Sequence, residues 1–483
     1  MTHQDTSFAF IPTSTAYEKG KFGRLFPWLP PCVNDSAPLT DLYEIAELMI
    51  DGEVGIMPAG YTYLGQFLAH DLSFDPTSLK ERQIDIEYLY NFRTPALDLD
   101  SMYGGGPEVM PYLYKKVPPM YEVDEPEKPR YGKFDIDLTR PFVNRAGGPD
   151  GIALIADPRN DENAIIMQLH SAFMLLHNKF LEEQKCSDDF QRFLIARQQT
   201  TWHFHWVVLW DYLPRIVGMK LVQKILKKRK YFDWRNEPFI PLEFSAATFR
   251  FGHSQVLDNY QFNKETSGSI FFRSPSEIPK IDWSLFFFEK PSDLINKNKR
   301  IGPHVTGALR SLNDANTILT DTIHKIEEKK TLPEQKEVLM QFVLDVGWKV
   351  NEKNLAFRNL LRGKLLKLPS GQAVAKAMKK IPLTVETPNF PKRLKENTPL
   401  WYYVLYESET LEQGKKLGPV GARIVAEVII GLIKGDKTSF LNQDPNWIPR
   451  DEKNEPKSDF SMADLLKVAG VYEDKVPSQA PQP

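Results

Sequence analysis

The chain has 483 residues, enough for about three average domains or for one large helical enzyme core. Its charges nearly cancel, with 61 Lys and Arg against 63 Asp and Glu, which argues against a nucleic-acid or anionic-membrane partner. Apolar residues make up 42% and charged residues 26%, a balance that excludes a disordered or fibrous protein. We therefore expect a small-molecule partner.

Cysteine content and apolar patterning further narrow the class of protein. Cys32 and Cys186 allow at most one intrachain disulfide, which excludes a disulfide-stapled secreted scaffold. The N-terminal segment has no basic region followed by an apolar run, and no stretch approaches the roughly 18 apolar residues of a membrane span. These features predict a protein without a membrane span, located in the cytoplasm or exported by a route without an N-terminal signal peptide.

The two ends differ in composition from the rest of the chain. Residues 1–20 are polar and unpatterned, and residues 473–483 are Pro-rich and charged. Such segments bury too little apolar surface to fold by themselves. We predict flexible segments at both ends and one large domain over residues 21–472.

The first informative segment is YLGQFLAHDLSFDP. Gln66 and His70 are four residues apart, so a helix places the amide and the imidazole on one face, with the Asp71 carboxylate turned away from it. That face could line a pocket. Alone, the spacing fits an ordinary structural histidine equally well.

The segment DPRNDEN marks a helix entrance. Arg159 and Glu162 are three residues apart. Asn160 or Asp161 is suited to cap the helix, and Pro158 is expected to end the preceding segment. A surface capping box with an exposed arginine explains the pattern as well as a functional site does. The residues alone leave both interpretations open.

Helical periodicity dominates the longer segments. In Asn163 to Gln184, apolar side chains recur at steps of three and four. Three more segments of this kind run over residues 190–217, 334–350 and 421–433. Strand-like alternation is scarce, so we predict a mainly α fold with few short strands.

Nine histidines occur in the chain, and most are expected to be structural. That interpretation is given to His170, His177, His203 and His205, which lie on patterned helices. The chain has no HExxH pair or Cys/His cluster, so any metal is expected to arrive within a cofactor. His253, in LEFSAATFRFGHSQV, follows small and aromatic residues that would suit a flat apolar ligand.

Taken together, the segments resemble the animal-type haem peroxidases of the peroxidase-cyclooxygenase superfamily, in particular the bacterial members. Five blocks recur in the same order: GQFLAHD, FRTPALDLDSMYG, DPRNDEN, FRFGH and AFRNLLRGKLLKLPSGQ. LWYYVLYE and LGPVGARIVAEVIIGLI extend the likeness towards the C-terminus. The resemblance implies a single large helical domain that binds haem b.

The resemblance also implies roles for individual residues. On the distal side of the haem, His70 matches the base, Gln66 the amide and Arg159 the arginine. On the proximal side, His253 matches the axial iron ligand and Asn359 its hydrogen-bond partner. Arg362 matches a residue that contacts a haem propionate.

A calcium site is implied beside the distal helix. The loop around FRTPALDLD offers oxygen ligands from Thr94, Ala96, Asp98 and Asp100, joined by Asp71. Three carboxylates with backbone carbonyls from Thr94 and Ala96 form the ligand set that a hard cation prefers. An acidic surface loop is the alternative that the residues alone would favour.

Departures from the family pattern limit the chemistry. Ala69 replaces the aspartate that forms one haem ester, whereas Glu162 matches the second ester-forming carboxylate, so at most one ester is expected. Asn163 stands where a sulfonium-forming methionine would favour chloride oxidation. Arg250 stands where the fatty-acid oxygenases carry their radical tyrosine.

The implied function is a haem peroxidase in which hydrogen peroxide oxidises small donors through a ferryl intermediate. The expected donors are phenols, aromatic amines, bromide, iodide or thiocyanate. The alternatives are a fatty-acid dioxygenase of the same fold, which Arg250 argues against, and a non-catalytic haem-binding or adhesion relative.

Overall fold

Helices make up most of the computed structural model, as predicted. It describes residues 20–32, 39–74, 90–114, 133–134, 153–234, 238–270, 280–288, 296–310 and 354–472. The helix predicted at 334–350, residues 1–19 and the tail 473–483 lie outside the described residues.

The α-helices are given in chain order. The first eight are α1 Leu39–Leu48, α2 Gly60–Leu72, α3 Asp100–Tyr103, α4 Ala164–Glu183, α5 Asp189–Val207, α6 Leu213–Val217, α7 Met219–Lys227 and α8 Leu242–Ser245. The others described are α9 Gly307–Arg310, α10 Leu355–Leu365, α11 Gly371–Ala377, α12 Leu400–Glu412, α13 Pro419–Gly435, α14 Phe440–Gln443 and α15 Met462–Val468.

Short 3-10 segments connect several helices. They are Pro111–Leu113, Pro158–Asp161, Thr248–Gln255, Trp283–Leu285 and Lys392–Leu394. A π-helical turn, Val208–Tyr212, joins α5 to α6. The predicted segment 190–217 is therefore helical throughout but changes its winding near its end.

Strands are few and short, as predicted. They are β1 Gly20–Gly23, β2 Val54–Pro58, β3 Tyr90–Asn91, β4 Ile240–Pro241, β5 Tyr260–Gln261, β6 Ser267–Gly268 and β7 Lys297–Lys299. Strand β1 pairs antiparallel with β3 and parallel with β4, while β2 pairs antiparallel with β7 and β5 with β6.

The start of α4 corrects the predicted cap. The Asn163 side-chain oxygen accepts hydrogen bonds from the backbone N–H groups of Ile165 and Ile166, at 3.1 and 3.0 Å. Asn163 is therefore the N-cap, satisfying two donors that the first helical turn leaves without partners. Asn160 and Asp161 lie in the preceding 3-10 turn instead.

Helix α2 lies in the core, where α4 packs against it and against α5. Phe67 stacks on Phe173 with ring centroids 4.9 Å apart, and Phe204 meets both rings edge-on. Gly65 allows a close approach, because a Cβ there would lie 2.5 Å from the Tyr212 hydroxyl. These contacts fix the position of the helix that carries Gln66 and His70.

Two further findings concern the cysteines and the length of the helices. The thiols of Cys32 and Cys186 are both free. Each helix in the described part of the chain is either too short or too polar to cross a bilayer.

Candidate functional site

His70 is held by a chain of side-chain hydrogen bonds on the buried side of α2. Its Nδ1 lies 2.8 Å from the Asn160 side-chain oxygen, which can only accept, so Nδ1 carries the proton. The Asn160 amide nitrogen in turn donates to Nδ1 of His170 at 3.0 Å. The neutral His70 ring therefore keeps a lone pair on Nε2, the atom that a proton acceptor requires.

Burial keeps this imidazole neutral. Removal from water, followed by the positive charge of Arg159, lowers the pKa of His70 to about 3. His70 therefore carries no charge in neutral solution. The pKa near 6.5 that an exposed histidine would have does not apply here.

A buried carboxylate organises the arginines around His70. Asp157 accepts from Arg159 Nε at 3.0 Å and from Arg159 Nη2 at 2.7 Å, and it also pairs with Nη2 of Arg93. Both arginines donate to the backbone oxygen of His70, from Arg159 Nη2 at 2.9 Å and from Arg93 Nε at 3.1 Å. These arginines hold the pKa of Asp157 well below its usual range despite burial.

Gln66, one turn before His70 on α2, contacts Glu162. The amide nitrogen of Gln66 donates to a carboxylate oxygen of Glu162 at 3.0 Å. Burial raises the pKa of the Glu162 carboxyl, and the positive charge of Arg159 opposes that rise. Gln66, Glu162, Arg159 and His70 thus belong to one connected region.

His253 lies in the 3-10 segment Thr248–Gln255, which packs against both α2 and α12. The Asn359 side-chain amide, on α10, lies 2.9 Å from its Nδ1. A half-turn of that amide presents oxygen instead of nitrogen, and the oxygen would accept Nδ1–H and leave Nε2 as a ligand atom. The predicted pairing of His253 with Asn359 is thus present in the structure.

Three arginines surround this second histidine. Burial lowers the pKa of His253 to about 3, with further lowering from Arg250, Arg358 and Arg362. Arg250 is itself anchored, because its Nε donates to the Ser245 oxygen at 2.9 Å and its own backbone oxygen accepts from Trp401 Nε1 at 3.2 Å. The imidazole is therefore neutral and close to cationic groups.

These residues fit a haem group. Each of the two histidines is neutral and has its Nδ1 engaged by an asparagine amide, which leaves Nε2 for the iron side. Arginines near His253 offer cations for two propionates.

The acidic residues predicted beside α2 come together. Ligand oxygens of Asp71, Asp98 and Asp100 lie within 4.8 Å of one another. Asp71 accepts from Ser101 Oγ at 2.8 Å, and the Thr94 N–H donates to Asp100 at 3.1 Å. Burial, then the neighbouring Asp98 charge, raises the pKa of Asp71 to about 7.

Hydrogen bonds and a left-handed residue shape the loop around this cluster. The Thr94 hydroxyl donates to Asp98 at 2.7 Å, so its lone pairs stay available. Leu99 takes a left-handed conformation with φ of 60°, and its N–H donates to Asp71 at 3.1 Å. Ala96 is buried beside them.

No role was assigned from the sequence to Arg93 or Asp157, and the sequence indicated only a possible helix cap for Asn160 and a structural role for His170. Arg93, Asp157 and Asn160 connect His70 to the acidic loop and to Arg159, and His170 completes the chain. The only signal for the first three was proximity in sequence to Thr94 or Arg159. The structural interpretation given to His170 holds, because it supports Asn160.

Comparisons with known proteins identify the family of this chain. The family model for animal haem peroxidase matches residues 85–343, more than half of the chain. The chain therefore belongs to the animal haem peroxidase family. The matched stretch contains Arg159 and His253, while His70 precedes it and Asn359 follows it.

Similar proteins include both peroxidases and oxygenases. Peroxidase A from Dictyostelium discoideum has a TM-score of 0.61 at 17% identity, covering 96% of this chain and 97% of that chain. The fatty acid alpha-dioxygenase of Oryza sativa has a TM-score of 0.54 at 12% identity, covering 88% of this chain and 77% of that chain. That of Arabidopsis thaliana has a TM-score of 0.52 at 13% identity, covering 94% and 81%. These identities show the shared fold alone and confirm the predicted mainly α architecture.

A curated relative matches over a shorter stretch. The dual oxidase of Drosophila melanogaster is 28% identical over 125 residues, which is 24% of this chain and 8% of that protein. The chain thus corresponds to a small part of that relative's length.

Asp157→Ala should destabilise the protein strongly, because it leaves Arg93 buried with its main counter-charge removed. We expect a loss of about 3–5 kcal/mol in the free energy of unfolding, measured by urea denaturation. The control is Asp189→Ala, which breaks an exposed pair with Arg192 and should change stability by less than about 1 kcal/mol. Similar small effects from both variants would contradict the structural role of Asp157.

Proposed function

We propose that the protein is a haem peroxidase that uses hydrogen peroxide to oxidise small electron donors. The observation that carries this proposal is the pair of neutral histidines, His70 and His253, each held at Nδ1 by an asparagine. Haem, when bound, supplies the iron that takes two oxidising equivalents from hydrogen peroxide. The chain's own residues supply the proton transfer and the charge stabilisation.

His70 acts as the proton shuttle. Its free Nε2 accepts a proton from one oxygen of hydrogen peroxide and returns it to the other, so that the departing oxygen leaves as water. Asn160 keeps the ring in the tautomer this requires. Gln66, one turn earlier on the same helix, is proposed to help position peroxide or water.

Arg159 stabilises charge as the O–O bond breaks. Asp157 and the His70 carbonyl engage its Nε and Nη2, which leaves Nη1 to donate to an oxygen that gains negative charge. The guanidinium is also packed 4.7 Å from the Phe74 ring centroid. These contacts restrict the motion of the guanidinium and so orient it for this role.

His253 would hold the haem iron through its Nε2, with Asn359 fixing the orientation of the imidazole ring. An amide acceptor makes the imidazole slightly more basic, though less so than a carboxylate would. Arg250 and Arg362 are proposed as partners for the haem propionates. Glu162 would hold the haem by one ester bond, which Ala69 cannot form. In that bond the carboxylate would replace a hydrogen on a haem carbon, and hydrogen peroxide would be the two-electron oxidant and be reduced to water.

A fatty-acid dioxygenase is the second candidate, favoured by the fold shared with two alpha-dioxygenases. Arg250, whose Nε donates a hydrogen bond to the Ser245 oxygen, stands at the position where the fatty-acid oxygenases carry their radical tyrosine. Linoleate supplied aerobically should therefore give no regiospecific hydroperoxide, whereas phenols with hydrogen peroxide should be oxidised. The opposite pattern of products would establish the dioxygenase instead.

His253→Ala should lose the Soret band of the haem-loaded protein, because the axial nitrogen is gone. Added imidazole should restore part of that band by occupying the space of the missing ring, which loss of folding would not allow. Absorption spectra at equal haem and protein concentrations measure both effects. A full Soret band in His253→Ala without imidazole would remove His253 from the axial position.

The rate of reaction with hydrogen peroxide should stay nearly constant between roughly pH 4 and pH 7. His70 must be neutral to accept a proton, and with its pKa lowered to about 3 it stays neutral throughout that range. Stopped-flow absorbance of the haem-loaded protein measures this rate. A decline centred near pH 6.5 would show that His70 titrates like an exposed imidazole.

Glu162→Gln should release all haem on acid denaturation and solvent extraction, whereas the wild type should retain a fraction after reaction with peroxide. The amide keeps the shape and the hydrogen bond with Gln66 but cannot form an ester. Glu183→Gln, which makes the same change at an exposed carboxylate paired with Lys179, is the control and should retain haem as the wild type does. Equal extraction from wild type and Glu162→Gln would refute the ester.

Calcium should raise the thermal stability of the wild type, and EGTA should lower it. At a free calcium concentration of about 100 times the dissociation constant, binding would add about 2.7 kcal/mol to the free energy of unfolding. Asp98→Asn removes one of three clustered carboxylates, so it should raise the melting temperature in EGTA and suppress the response to calcium. An undiminished calcium response in Asp98→Asn would contradict the site.

A further inference from the structure

The segment from Met219 to Lys230, MKLVQKILKKRK, carries six cationic residues and no carboxylate. Helix α7, which forms most of it, buries Val222 and Ile225 and leaves Lys220, Lys224 and Lys227 exposed. The whole chain has a net charge of −2, so this is a local concentration of positive charge. Such a surface attracts anions.

A pocket of about 210 Å³ lies between this segment and the end of α11. Five cationic side chains line it, those of Lys224, Lys230, Lys379, Lys380 and Arg423. The volume is below the roughly 300–1,000 Å³ of sites for drug-sized ligands. It suits a compact anionic group, and none of its lining residues belongs to the histidine site.

The backbone fixes the wall that Lys379 and Lys380 form. Helix α11 ends in a Schellman motif, in which the Lys379 N–H donates to Lys376 at 2.9 Å and the Lys380 N–H donates to Ala375 at 2.8 Å. Lys379 takes the left-handed conformation, with φ of 55°, that glycine usually occupies there. The Tyr231 hydroxyl closes the wall by donating to the Met378 oxygen at 3.1 Å.

The pocket's positive charge is only partly compensated. Glu427 pairs with Arg423 Nε at 3.0 Å, and its other oxygen accepts from the backbone N–H groups of residues 230–232. In the part of the chain described, no carboxylate forms an ion pair with Lys224, Lys230, Lys379 or Lys380. Lys230 Nζ lies 5.1 Å from the Tyr231 ring centroid, and the charge of Lys380 acts to lower the pKa of Glu407. Neither contact is an ion pair, so the four ammonium groups can still attract an external anion.

We propose that this pocket binds a phosphate group, from a soluble phosphorylated compound or from a phospholipid headgroup. A phosphate offers several acceptor oxygens and up to two negative charges, which matches a pocket lined by four lysines and one arginine. Leu221, Tyr231 and Met378 add apolar contact for the remainder of the ligand. The pocket thus forms a second site, separate from the proposed haem.

Calorimetric titration of the 483-residue chain with inorganic phosphate and with pyrophosphate, at constant ionic strength, tests the proposal. Sedimentation with phosphatidylcholine vesicles, with and without phosphatidic acid, tests the lipid source. The double variant Lys224→Gln, Lys380→Gln should weaken binding about tenfold or more, since each charge-assisted hydrogen bond contributes on this scale. Binding of the soluble anions identifies a soluble source, and binding of the phosphatidic acid vesicles alone identifies a lipid.

The control is Lys392→Gln with Lys437→Gln, which removes the same charge from exposed positions outside the pocket. This variant should bind as the wild type does. Absence of binding to every probe would overturn the proposal. So would equal losses in the two double variants, because they would show a general charge effect and no defined site.

Discussion

The buried carboxylate of Asp157 is the constraint on which the site depends. It neutralises the positive charge of Arg93, which has no exposed surface, and it accepts two hydrogen bonds from the Arg159 side chain. Both arginines then bind the backbone oxygen of His70. One charge thus fixes the end of α2, the orientation of Arg159 and the start of the acidic loop, because a buried ion pair tolerates little displacement.

Asparagine side chains extend that control to the two histidines. Asn160 holds the Nδ1 proton of His70, and Asn359 lies at Nδ1 of His253. Neutral partners suit this purpose, since a carboxylate would raise the pKa of each ring and favour a charged imidazole. The same burial that lowers both pKa values thereby keeps a lone pair available on each ring.

Local spacing predicted the parts of the site that lie on one helix or in one loop. Gln66 and His70 share a face of α2, and Asp98 and Asp100 converge on Asp71, because helix and loop geometry act over a few residues. The mainly α fold also followed from periodicity. Asn160 was misassigned as a cap because DPRNDEN offers several residues able to cap, and only the actual start of α4 distinguishes Asn163.

Long-range features could not be predicted in this way. Arg93 and Asp157 are 64 positions apart, and the basic pocket joins residues near 230 to residues near 380. The pKa of His70 depends on burial by several elements, which no single segment encodes. The family resemblance supplied the roles of individual residues, while the hydrogen-bond network gives a physical reason for them.

The most direct test of this account is the reaction of haem-loaded protein with one equivalent of hydrogen peroxide, followed by stopped-flow Soret absorbance. The wild type should react rapidly. Asn160→Leu should show the same starting spectrum but react about 10- to 100-fold more slowly, because His70 loses its orienting partner. Equal rates in the two proteins, or no spectral change in the wild type, would contradict the proposed role of the His70 and Asn160 pair.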